Sequence, residues 1–207
     1  MLRIRSVKEP FTTPSLAVKG ATALVRAEAM GLLEEREEGV NLDAAILGRL
    51  AIRLRKAGIG GALIPMLTSP AAAKESTFLE RCLDQLSEAL EASPAPPTEW
   101  KRLLRVLGPE PLARLLGISS ASVRRYAGSV RDTPDDVAAR LHWLALIVGD
   151  LGGGYNEIGI RQWFDRRRTQ LGGRTPAQLL TGDWKPDDAG PQQVRALASA
   201  LNSSPAT

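Results

Sequence analysis

The segment Ser119-Ser120-Ala121-Ser122-Val123-Arg124-Arg125 places three hydroxyls and two guanidinium groups within about two helical turns. Such groups form hydrogen bonds and attract anions, but they do not make a nucleophile–base pair. Upstream, Ala113 is small enough to let two helices cross closely, and Gly117, four residues on, tolerates the positive φ of a turn. Leu112, Leu116, Ile118, Val123 and Tyr126 sit at the offsets that pack such a pair, and Ser119 is placed to cap the second helix. Leu112 to Tyr126 therefore reads as a helix-turn-helix. Short hydroxyls at a helix N-terminus can enter the major groove closely, where serine reaches phosphates or base edges and arginine grips guanine through two bonds. Ser120 and Arg124 are the first candidates for base contacts, with Ser119 and Ser122 beside them. Arg125, Arg131, Arg114, Lys101 and Arg102 are candidates for phosphate contacts, which set register without reading sequence. The competing reading is a tight helical hairpin whose arginines are only a solvated face.

Charge favours the first reading. Residues 1 to 98 carry 12 Lys/Arg against 12 Asp/Glu, residues 99 to 131 carry 7 against 2, and residues 132 to 207 carry 8 against 9. The balances of 0, +5 and −1 account for the net charge of +4, so the positive excess falls in the window that holds the turn. Other chemistry is poorly supplied. Cys82 is the single cysteine, which excludes an internal disulfide and a thiolate zinc site, and its apolar neighbours Phe78, Leu79 and Leu83 place it in a core. His142 is the single histidine, which excludes a two-histidine metal site; between Leu141 and Trp143 it reads as a packed or half-exposed ring. No cofactor and no enzymatic activity are expected. Gly152-Gly153-Gly154 is not a phosphate loop, because no strand precedes it and no Gly-Lys-Ser/Thr follows. No run approaches the roughly 18 apolar residues of a membrane span, and the N-terminus lacks the apolar block of a signal peptide, so the expected location is the cytoplasm.

Apolar residues recur at three- and four-residue steps through most of the chain, and the expected class is all-α. A first helix is expected from Ser15 to about Glu38, interrupted at Gly20 and Gly31. A second should follow Asn41 as N-cap, burying Leu42, Ala45, Ile46, Leu50 and Leu54 until Gly58 and Gly60 stop it. A third should start at Ser69-Pro70 and run through Phe78, Leu79, Cys82, Leu83, Leu86 and Leu90. Together these make an N-terminal bundle, 1–92. Ala92-Ser93-Pro94-Ala95-Pro96-Pro97-Thr98 should break the chain, giving a linker at 93–98 with Thr98 capping the next helix. The helix-turn-helix region is then 99–131. Acidic residues at Asp132 to Asp136 should open a long helix burying Val137, Leu141, Leu144, Ile147, Val148 and Leu151. Short helices are expected at Glu157 to Phe164, Thr175-Pro176 to Leu180 and Pro191 to Leu201, before a frayed tail at Asn202 to Thr207.

Two later segments, Gly159-Ile160-Arg161-Gln162-Trp163-Phe164 and Leu171-Gly172-Gly173-Arg174-Thr175-Pro176-Ala177-Gln178-Leu179-Leu180, are followed by Gly182-Asp183-Trp184 and a final apolar helix through Val194, Leu197 and Leu201. With the upstream turn they resemble the Xre/MbcA/ParS antitoxin family over Trp100 to Leu201; residues 1 to 98 lie outside the resemblance. It implies a dimeric DNA-binding repressor of its own operon, whose C-terminal module, 132–207, binds a RES-type toxin that consumes NAD. The candidate partner-binding residues are Trp163, Arg166, Arg167, Arg168 and Trp184, of which Arg166-Arg167-Arg168 departs from the family's pattern after the tryptophan. Read from the residues alone, Trp163 and Trp184 can equally anchor a small core, and Arg166-Arg167-Arg168 can be a solvated run or lie along DNA beside the second helix.

Overall fold

The computed structural model describes residues 2–33 and 39–203. It is helical apart from two short strands, and it divides into two compact units, Met1–Ser93 and Pro94–Thr207. No helix among the described residues is long and apolar enough to cross a membrane.

The first unit opens with β1 (Ile4–Val7), which the helical periodicity of the sequence gave no reason to expect. After α1 (Pro14–Ala29) as crossover, β1 pairs in parallel with β2 (Val40–Leu42). Strands of four and three residues are too short to register as an alternating pattern. The Ser6 hydroxyl donates to Asn41 Oδ1 at 2.8 Å, so Asn41 serves the sheet and not a helix cap. The cap of α2 (Ala44–Ala57) is Asp43, whose Oδ1 accepts from the Ile46 amide at 3.0 Å. On α2, Leu47 and Ala51 join the buried face and Ala45 points out to solvent.

Gly20 does not interrupt α1. The helix continues through it because the bare Cα lets the fully buried Phe11 ring pack there; a Cβ at this position would lie 2.6 Å from Phe11 Cε1. The helix ends at Ala29, short of the expected Glu38, and Met30 to Leu33 form a turn in which Gly31 takes φ 74°; the remainder of the expected extension, 34–38, lies outside the described residues. A short α3 (Leu63–Leu67) follows, and the expected third helix is two: α4 (Pro70–Lys74), capped by Ser69, and α5 (Ser76–Ala92), with the extended residue Glu75 between them. α5 packs on α1 and α3 through Leu79, Cys82, Leu83, Leu86 and Leu90, and Phe78 is only half-buried under Arg81. Cys82 is fully buried, and that burial pushes its thiol above the ordinary value, which keeps it inert.

In the second unit Pro96 and Pro97 begin α6 (Pro96–Leu107) instead of holding a linker open, since a proline in the first turn gives up an amide that has no helical partner anyway. Thr98 is inside that helix, and its hydroxyl donates to the Ala95 carbonyl at 3.1 Å. Next come α7 (Pro109–Leu116), α8 (Ser120–Ala127), α9 (Asp135–Leu151), α10 (Glu157–Asp165), a 3-10 turn at Thr169–Leu171, α11 (Pro176–Leu179) and α12 (Ala189–Ser203). The part of the expected tail at 204–207 lies outside the described residues. α9 is the axis of the unit: it packs against α6, α7 and α12 and is buried on every side from Leu144 to Leu151. The segments expected as separate regions, 99–131 and 132–207, thus share one core.

Candidate nucleic-acid interface

α7 and α8 are joined by Gly117-Ile118-Ser119. Gly117 takes the left-handed conformation at φ 67°, and Ser119 caps α8 by accepting from the Ser122 amide at 3.1 Å. Leu112, Leu116 and Val123 are buried between the helices and the rest of the unit, and Ala113 is nearly so at 4 % exposed. Tyr126 stacks, tilted, on Trp100 of α6 with ring centroids 6.1 Å apart. Trp100 donates from its indole to the Thr133 hydroxyl at 2.9 Å, which ties α6 to the segment leading into α9. One side of α8 is therefore fixed to the unit while the other faces solvent.

On the solvent side the hydroxyls differ in availability. Ser119 and Ser122 oxygens lie 3.0 Å apart, and Ser122 also accepts from Arg125 Nη2 at 3.2 Å, so both are occupied in shaping the helix start. Ser120 and the exposed Arg124 make no such side-chain bond among the described residues.

The cations sort by partner. Arg102, expected at a phosphate, is buried on α6 and paired with Glu157 of α10 at 3.0 Å, which removes it from any contact with DNA. Its position was implied by the helical face it shares with Glu99, Leu103 and Val106, all buried. Arg114 is half-exposed and bonded to Asp165 of α10 at 2.9 Å, so its charge is already balanced. Lys101, Arg124 and Arg131 are exposed and have no hydrogen-bond or ion-pair partner among the described residues. Arg125, also exposed, meets a hydroxyl and no carboxylate.

Residues of the C-terminal module hold this region from behind. Trp184 is 6 % exposed, and its indole N–H donates to the Leu115 carbonyl at the end of α7 at 2.8 Å. Beside it, Arg140 of α9 is buried and binds Asp136 and Asp183. Trp163 is 1 % exposed, edge-on to Phe164 at 5.3 Å and covered by the Arg168 guanidinium at 5.5 Å. Both tryptophans are thus core anchors, and their burial removes them from a protein-binding surface. Of the other candidate partner-binding residues, Arg166 and Arg167 are exposed and Arg168 is half-buried. Loss of the indole donor in Trp184→Phe leaves a buried carbonyl without a partner, and we expect a destabilisation of about 2 kcal/mol by urea unfolding.

The sequence reading missed a buried pair at the centre of the unit. Glu99 of α6 and His142 of α9 face each other with Oε1 and Nδ1 2.6 Å apart, Glu99 being fully buried and His142 5 % exposed. Burial pushes the Glu99 carboxyl above its ordinary value, and the hydrogen bond and charge of His142 pull it partly back. A pair so enclosed holds two helices together and offers no approach to a substrate. Among the described residues no group of three or more His, Cys, Asp or Glu side chains could hold a metal ion.

No protein-family model matches the chain, and no match is found among the curated proteins or the solved structures.

Proposed function

We propose that this chain is a sequence-specific, double-stranded DNA-binding transcriptional regulator without catalytic activity, which reads its site with α8 and acts as a homodimer on symmetric half-sites. One observation carries the reading: α8 is anchored on one side by Val123 and Tyr126, while Arg124 and its neighbours Lys101, Arg125 and Arg131 are exposed and free of carboxylates among the described residues. Paired surface cations lose little by staying as they are. Unpaired ones gain most from phosphate, through release of the counterions condensed on DNA. Ser120 and Arg124 read bases; Lys101, Arg125 and Arg131 fix register on the backbone.

The test is Arg124→Ala against a selected operator and a random duplex. The expected loss is about 1–3 kcal/mol on the operator, with relaxed preference at one base pair and little change on random DNA. An equal loss on both duplexes would make Arg124 a phosphate contact. A wild-type chain that binds no duplex even at low salt would end the DNA reading.

A further inference from the structure

The outer face of α10, next to α7, carries basic side chains that take no part in the contacts proposed for α8. Arg161, Gln162, Asp165 and Arg166 line an open depression of about 430 Å³ there. Asp165 is neutralised by Arg114 of α7 at 2.9 Å, and that same bond sets the α10 face directly beside the helix leading into the turn. Arg161 has no partner among the described residues, Arg166 is steadied by Gln162 Oε1 at 3.1 Å, and Arg167 meets only the Gly173 carbonyl at 3.4 Å. The face therefore carries, among the described residues, three cations without a carboxylate of their own. Among the described residues of α10, Ile158, 60 % exposed, is the only large exposed apolar side chain, too little for the apolar centre that a protein interface needs.

We propose that this face is a second DNA-backbone contact: Arg161 and Arg166, with Arg167 at the helix end, bind phosphates flanking the base pairs read by α8 and lengthen the footprint of each unit. The inference rests on the DNA reading above.

Full-length wild type, Arg161→Gln/Arg166→Gln, and the charge-keeping Arg161→Lys/Arg166→Lys are titrated with salt on a mixed-sequence duplex of about 30 base pairs. Both positions are exposed, and unchanged circular dichroism and melting temperature confirm that the variants are folded. The glutamine pair is expected to flatten the slope of log K against log salt by about 1–2 and to weaken binding roughly tenfold or more at about 0.1 M salt, equally on operator and random DNA, with the lysine pair restoring most of both. A slope equal to that of the wild type overturns the inference, while the α8 reading stands on its own Arg124→Ala result. A wild-type chain that binds no duplex overturns both.

Discussion

Gly117→Ala is expected to destabilise the second unit by about 3 kcal/mol or more and, on the proposed function, to lower DNA affinity with it. Two costs fall on one atom. The backbone there has φ 67°, a region that costs an L-residue about 1–2 kcal/mol. In addition, the new Cβ would lie 2.0 Å from the Gly182 carbonyl oxygen, a distance that forces one main-chain segment away from another. Segment 181–184 cannot retreat freely, because Trp184 is bonded to Leu115 and Asp183 to Arg140. Displacing it breaks these contacts and loosens the turn that aims α8. Gly172→Ala is the matching control in the same unit: its φ is 63°, but a Cβ there meets nothing within 4 Å, so strain alone applies, about 1 kcal/mol. Urea unfolding followed by tryptophan fluorescence compares the two. Equal losses at 117 and 172 would mean that the Gly182 contact contributes nothing.

That contrast also marks what could be read from the sequence. The turn was legible because its determinants are local: Gly117 for the left-handed residue, Ser119 for the cap, and Leu112, Leu116 and Val123 within one short window. The Gly117–Gly182 contact was not, since nothing in a glycine's neighbours says which distant backbone will lie against it. Residue type misled at Arg102, where a guanidinium reads as surface. Its spacing from Trp100, Leu103 and Val106 put it on the inner face of α6, and only the position of Glu157 explains how its charge is tolerated there. Trp163 and Trp184 were correctly legible as bulk able to anchor a core, and their burial follows from that bulk. The expected stripe on α9 was too narrow for the same kind of reason. Leu144-Ala145-Leu146-Ile147-Val148 is a continuous apolar run, which marks a helix surrounded on all sides and so foretells that His142, on the same helix, is enclosed. The parallel pair β1–β2 had no such signal.

Removing the imidazole at that enclosed site is the second large effect. In His142→Ala the fully buried Glu99 loses its side-chain partner, and its Oε2 has none even in the wild type, so a carboxylate is left in an apolar core. The expected cost is about 3–5 kcal/mol, dominated by the stranded charge. Replacing both groups by apolar side chains, Glu99→Leu with His142→Phe, should recover much of that loss, because the pair is itself desolvated and its attraction only offsets the cost of burial. Additive losses in the double variant would show that the two residues are not coupled. The pH dependence separates charge from packing. The Glu99 carboxyl is raised above 4.5 by burial, with His142 opposing the shift. A group raised in the folded state contributes its full stability below its unfolded value and loses that contribution as pH climbs through the folded one. Wild-type stability relative to Glu99→Gln, which does not titrate, should therefore decline from about pH 4.5 upward and level off once the buried carboxyl has ionised. A difference that stays flat over this range would mean that Glu99 ionises in the fold as readily as in water, and that α6 and α9 are joined there by packing alone.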